Sequence, residues 1–355
     1  MLLAKYSEPL LKSKEVRLRL ERMLTERVKA ALAGMQGVRV EKEGGVLRIA
    51  CENEEEAARR LQRVFGLASI ALCAEIPADL DAMAEAGVRA ARGWRGSFAV
   101  RAKRTGEHPF TSEDVARVVG KAIVDATGLR VDLEKPDNEL FIEVRGERAF
   151  MAKKFFDGAR GLPLGSQGSM VALLKGSESA LAAWMIMRRG CAMHAVHARE
   201  GEQSEAEATE VAKVLRAWHV GKKMSMLVVD APSLEGLSAG EKRVALGRFL
   251  ARVASEIARK KRASGIVSGE RTRLDDNALR AIASIDSASA FPIHRPLLFL
   301  KEEVDEMASK IGLRIEGEPE PVPPFDEKLV LAWEKRIKVE KAAKEAVASA
   351  REVVL

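Results

Sequence analysis

Apolar positions over residues 12–33 (Val16, Leu18, Leu20, Leu24, Val28 and Leu32) recur at helical spacings between charges, the pattern of a surface helix ending at Gly34 and Gly37. Residues 38–41 and 46–49 then alternate on either side of Gly44 and Gly45, which predicts a hairpin. A helix over 54–64 and a strand over 70–76 complete a small α+β unit. From Asp79 the grammar restarts, with helices over 80–92 and 112–127 and strands over 97–103, 130–133 and 139–145. Ser112, with Glu113 and Asp114 behind it, supplies a cap and an acidic first turn. Beyond a Gly/Pro/Ser stretch at 161–168 the pattern changes again. An apolar run at 170–174, helices over 180–188, 206–216 and 240–261, and strands over 192–197, 225–229 and 265–267 follow the βαβ order of a parallel sheet. Proline-rich residues 318–324 precede one charged helix over 326–351, expected to be an amphipathic appendage or an oligomerisation element.

Composition narrows the class. A chain of 355 residues, 47% hydrophobic and 31% charged, is long enough for two or three domains with separate cores. No apolar run approaches the roughly 18 to 20 residues that cross a bilayer, and the start lacks a signal peptide's apolar core, so a cytoplasmic location without a membrane partner is expected. Cys51, Cys73 and Cys191 stand far apart, with no CxxC pair and no Cys/His cluster, so neither a disulfide framework nor a metal site is expected. A net charge of +7 suits a polyanionic partner. With one Tyr and 5% aromatics, shape and phosphate contacts to a folded RNA fit better than stacking of single-stranded bases.

The sharpest basic cluster is Arg89, Arg92, Arg95, Arg101, Lys103 and Arg104, with no acidic residue between 88 and 104. A cluster more diluted by acids holds Lys12, Lys14, Arg17 and Arg19. Either could grip phosphates or be a solvated face. The stretch from Phe98 to Arg104, with Ser112, Val118-Val119-Gly120, Val131-Asp132-Leu133, Pro136-Asp137 and Glu143-Val144-Arg145, resembles the THUMP domain. Lys5-Tyr6-Ser7-Glu8, Leu11-Lys12-Ser13-Lys14, Arg63-Val64-Phe65-Gly66 and the 161–168 stretch extend the resemblance to the tRNA 4-thiouridine synthetase (tRNA sulfurtransferase) family, in an archaeal-like form without a rhodanese domain. The resemblance implies a ferredoxin-like α+β domain (1–76), a THUMP α/β domain (77–160), a linker (161–168), a Rossmann-like PP-loop domain with a parallel sheet (169–316), and a Pro-rich linker with a C-terminal helix (317–355). It also implies tRNA binding by the first two domains, with Lys12, Lys14 and the six clustered cations as its residues.

In that family a Ser-Gly-Gly-x-Asp-Ser loop binds ATP, accompanied by Mg2+. The uridine oxygen is adenylated with release of pyrophosphate, and sulfur then displaces AMP. The matching stretch here is Lys175-Gly176-Ser177-Glu178-Ser179, one residue shorter, with the first Ser, the second Gly and the Asp all changed. His197, Gly269 and Glu270 keep further family positions, while the run after Glu270 departs from the pattern. The family's acceptor cysteines have no counterpart near 243–249, and Cys191 reads as a buried thiol. Two functions remain open: a sulfurtransferase with an unusual loop and an external sulfur donor protein, or a non-catalytic tRNA-binding paralogue. A homodimer is compatible with either.

Overall fold

The structure is a computed structural model that describes residues 1–7, 13–298, 303–315 and 317–355. The first half of the chain runs β1 (Leu2–Tyr6), α1 (Lys14–Ala31), β2 (Arg39–Glu43), β3 (Val46–Ala50), α2 (Glu54–Leu61) and β4 (Leu67–Pro77). It continues with α3 (Leu80–Ala91), β5 (Ser97–Thr105), α4 (Ser112–Thr127), β6 (Arg130–Val131), β7 (Asn138–Arg145) and β8 (Arg148–Asp157). Then follow β9 (Ser169–Leu173), α5 (Ser177–Arg188), β10 (Ala192–Arg199), α6 (Glu202–Trp218), β11 (Ser225–Asp230), α7 (Ala239–Lys261) and β12 (Ile266–Ser268). The last elements are α8 (Asp276–Ser287), β13 (Ile293–His294), α9 (Glu303–Lys310), α10 (Glu327–Ile337), α11 (Val339–Ala348) and β14 (Arg351–Val354). The chain divides into two compact units, one holding the strands up to β8 with α2, α3 and α4, the other holding α1, residues 63–66 and everything from residue 160 onward.

The first unit is built on one eight-stranded sheet of order β2-β3-β1-β4-β8-β7-β5-β6. β4 is its hinge strand, pairing antiparallel with β1 on one side and β8 on the other. The 76/77 division therefore falls at the end of a strand that both halves use. Alternation sets the faces: Phe98 and Val100 on β5 and Leu140, Ile142 and Val144 on β7 pack with Met83, Val115, Val119 and Ile123 from α3 and α4. The opposite face carries a smaller apolar cluster of Leu3, Val46, Ala71, Cys73 and Phe150.

Pattern reading missed two strands here. β1 is central, so Leu2, Leu3 and Ala4 are all buried and no period of two is visible. β8 follows β7 through a two-residue turn in which Gly146 takes φ +51, and its Lys-Lys-Phe-Phe run crosses a register shift near Leu72 and Cys73 that breaks the alternation. The α4 cap is Thr111 rather than Ser112: the Thr111 side chain accepts from Asp114 N and Asp114 answers with a bond to the Thr111 backbone.

The second unit has a six-stranded sheet, β13-β12-β9-β10-β11-β14. It is parallel except for β14, which runs antiparallel to β11. α7 lies at its core, burying Val244, Phe249, Val253 and Ile257 among others. The single charged helix expected over 326–351 is instead two helices broken at Lys338, where φ is +53, followed by a strand. Nor is it an appendage: Val330, Trp333, Val339, Ala343 and Val347 belong to the main core, so the apolar stripe is spent inside this chain. The proline-rich stretch is likewise tied down, with Thr272 Oγ1 donating to the Glu320 carbonyl at 2.7 Å and Val322 buried. Pattern reading also missed α8, which Asp275 caps by accepting from Ala278 N.

Candidate phosphate loop and nucleic-acid interface

β9 delivers the chain to the loop Leu174–Gly176 at its C-terminal end, the usual place for a ligand site in an open α/β sheet. In an anion-binding loop of this kind free backbone N–H groups face the ligand. Here two of them are engaged within the chain. The N–H groups of Lys175 and Gly176 donate to Ser179 Oγ at 2.9 and 3.2 Å, and the Ser179 hydroxyl donates to the Gly176 carbonyl at 2.6 Å. Ser179 is 7% exposed, so this contact is buried at the start of α5. The Lys175 ammonium is turned to Glu200 at 3.2 Å.

Gly269 and His197 meet the same loop. A Cβ on Gly269 would come within 2.2 Å of Ser179 Cα, so glycine is required there for β12 to abut the first turn of α5, a packing role that needs no ligand. His197 is 2% exposed; its Nδ1 lies 2.9 Å from the Leu174 carbonyl, and its Nε2 is buried with no hydrogen-bond partner among the described residues. Glu270 turns elsewhere, accepting from Arg295 Nε at 2.7 Å with Arg243 at 3.6 Å. Arg295 is held in turn by Asp286 at 2.8 Å.

Ser177 and Gly176 open onto a cavity of about 950 Å³ whose wall carries Glu202, Glu205, Glu207 and Glu210 against Arg199. Arg199 is itself paired with Asp230 at 2.6 Å. Glu178 stands half-buried in the first turn of α5. Among the described residues no group of three or more His, Cys, Asp or Glu side chains is placed to hold a metal ion. The loop thus has two of its N–H groups bonded to Ser179, and the adjoining wall is rich in carboxylates.

The predicted cations of the RNA surface are distributed rather than gathered. Arg89, Arg92 and Arg95 lie at the end of α3 and in the turn after it, all exposed. Arg89 pairs loosely with Glu85 at 3.6 Å. Arg101 and Lys103 point to the sheet face away from α3 and α4, while Arg104, one residue on, takes the other face and donates to the Gly106 carbonyl at 2.9 Å. Arg101 is engaged by Glu139 at 2.8 Å and by the Leu133 carbonyl. Lys14 is exposed on α1, in the other unit, and Lys12 lies outside the described residues.

Sequence reasoning missed what lies beside Arg101 and Lys103. The open sheet face holds a cleft of about 400 Å³ lined by Lys5, Phe141, Phe150 and Phe155 as well. Phe141 and Phe155 meet edge-on with centroids 5.0 Å apart. Lys5 binds Glu143 at 2.6 Å; burial works against the Glu143 carboxylate, but Lys5 and Arg145 outweigh it and hold the group below the ordinary glutamate range. The missed strands β1 and β8 supply Lys5, Phe150 and Phe155, so recognising them was the signal that could have found this cleft.

Three family matches tile the chain. Residues 1–71 match the ThiI ferredoxin-like domain, 77–152 the THUMP domain, and 165–317 the family described as thiamine biosynthesis protein (ThiI). The probable tRNA sulfurtransferase of Caldanaerobacter subterraneus subsp. tengcongensis is 32% identical over 329 residues, covering 88% of this chain and 85% of its own. The chain belongs to the tRNA sulfurtransferase family. The tRNA sulfurtransferase of Pyrobaculum aerophilum is 35% identical over 311 residues, 83% of this chain, and this chain spans 63% of that relative's length. A 4-thiouridine synthetase solved as an RNA complex with bound ATP superposes with a TM-score of 0.84 at 22% identity, covering 100% of this chain and 99% of that one, a likeness of fold.

Within this family a reactive thiol would have to ionise. Burial raises Cys191, and it also raises Cys51; Cys73 is pushed up to about 12 by burial. All three are free cysteines.

Proposed function

We propose that this protein binds tRNA and belongs to a branch of the family whose third domain has lost ATP-dependent thiolation. The observation that carries the reading is the shortened loop, whose Lys175 and Gly176 N–H groups are already bonded to Ser179 Oγ while the Lys175 ammonium pairs with Glu200. The carboxylate-lined cavity and the three suppressed thiols support it from two other sides. RNA binding is supported by the exposed Arg92, Arg95 and Lys103 in the region matching the THUMP domain.

One observation favours a second reading, a sulfurtransferase that takes ATP with Mg2+ and relies on an external sulfur donor. The buried, partnerless Nε2 of His197 beside the loop is a polar atom that a ligand could satisfy. Pyrophosphate release from ATP, measured with and without unmodified tRNA alongside a tRNA-binding titration, separates the two. Binding without release is the expected result. Release that depends on tRNA overturns the loss of catalysis, and absence of tRNA binding overturns the RNA half.

A further inference from the structure

At the end of the parallel sheet opposite the β9 loop, where β10 and β11 begin, the second unit has another cleft of about 600 Å³. Arg216 at the end of α6, Lys261 at the end of α7 and Lys223 from the turn before β11 line it. None of these three has an ion-pair partner among the described residues. The one acid in the lining, Glu352, is held by the Ser225 hydroxyl. Met193, Met224, Leu227 and Val354 supply the apolar part of the wall.

A bland account exists for part of this. Helix C-termini carry about half a negative charge each, and basic last turns on α6 and α7 complement them. Lys223 lies outside both helices, however, and neither it nor Arg216 nor Lys261 is paired with Glu352 among the described residues. Positive charge is felt inside the cleft: burial first, then Lys261 and Lys222, lower the proton affinity of His194, which lines the same cleft with its Nε2 3.2 Å from Ser169 Oγ. The volume lies within the roughly 300–1,000 Å³ of small-molecule sites, and Arg216 can offer the planar fork that suits phosphate. The wall is completed by β14, which runs antiparallel to β11.

We propose that this cleft is an anion site for a phosphate ester with an apolar or aromatic body, distinct from the loop after β9. The phosphate could be carried by a free mononucleotide or by an RNA strand, and the proposal stands whatever the loop does. The site should be read through His194, one of five histidines in the chain, because a bound dianion among Arg216, Lys223 and Lys261 raises the imidazole's proton affinity.

The test follows the histidine ring resonances of the full chain by NMR while adding inorganic phosphate, AMP or a tRNA transcript, with His194→Asn providing the assignment. In the native chain the His194 titration moves upward saturably. In a variant combining Arg216→Ala, Lys223→Ala and Lys261→Ala the affinity falls at least about tenfold, and the single charge reversal Lys223→Glu, on an exposed turn, shows the same direction. A response to phosphate and AMP identifies a free phosphate ester, whereas a response to tRNA alone identifies the strand. His194 resonances that stay put with all three ligands, or that move equally in the variants, overturn the site.

Discussion

In the eight-stranded unit Arg92, Arg95 and Lys103 have no ion-pair partner among the described residues, whereas in the six-stranded unit Arg248, Arg252 and Arg295 are turned inward onto carboxylates. Arg248 and Glu334 are 6% and 7% exposed at the side chain and meet at 2.7 Å, with Arg252 adding a second guanidinium at 2.8 Å and Ser284 and Ser287 completing the donors of Arg248. These charges join α7 to α10 and α8 and are unavailable to any partner. Cations left free by their own fold can be neutralised only by something outside it. The difference teaches where to look for a polyanion: local charge density in the sequence matters less than whether the fold has already spent it.

Breaking the inward pair gives the largest effect. Glu334→Ala strands the buried Arg248 guanidinium, leaves Arg252 with Glu340 alone, and should lower unfolding free energy by about 3–5 kcal/mol in urea titrations. A loss under about 1 kcal/mol would mean that water already reaches the pair, and the contrast between the units would collapse. His219 extends the contrast to pH. It is 1% exposed, accepts from Met193 N at 3.1 Å, and has its pKa lowered to about 4, chiefly by burial. The folded chain therefore binds fewer protons than the unfolded one between about 4 and the free value near 6.5. Stability contributed by the neutral ring is fully present above about pH 6.5 and is lost as pH falls through about 4, on the order of 3 kcal/mol in all. Urea midpoints measured across that window should decline, and His219→Gln should flatten the decline; an unchanged slope would show that another group titrates. The smallest change in the fold comes from Arg92→Ala, Arg95→Ala and Lys103→Ala together, which should leave the urea midpoint in place. In tRNA binding the same variant should reduce the log-affinity against log-salt slope by about one per cation. An unaltered slope would show that these free cations meet no phosphate.

Much of the architecture was legible along the chain. α1, the β2–β3 hairpin, α3, α4, β10 and α7 all announce themselves by period, cap or glycine turn. The loop at Lys175–Ser179 was legible as altered because three of its positions depart from the family's loop pattern. Which way Ser179 would point was not legible: its hydroxyl reaches the Lys175 and Gly176 N–H groups only because the helix starts at residue 177. An element whose faces are both buried, such as β1, left no period to read. The six-cation cluster looked like one grip in sequence, yet strand alternation sends Arg101 and Lys103 to one side of the sheet and Arg104 to the other.

By itself, then, the sequence determined the order of elements, the mixed α/β class and the family motifs, because those depend on short-range periodicity and on residue types at fixed offsets. Only the tertiary structure decided that β4 would join two halves into one sheet and that the C-terminal stripe would be buried by its own chain. It also decided which cations would be free. Strand partners, burial and ion pairs are set by residues far apart in the chain, such as Arg248 and Glu334, and no local window contains both sides of that balance.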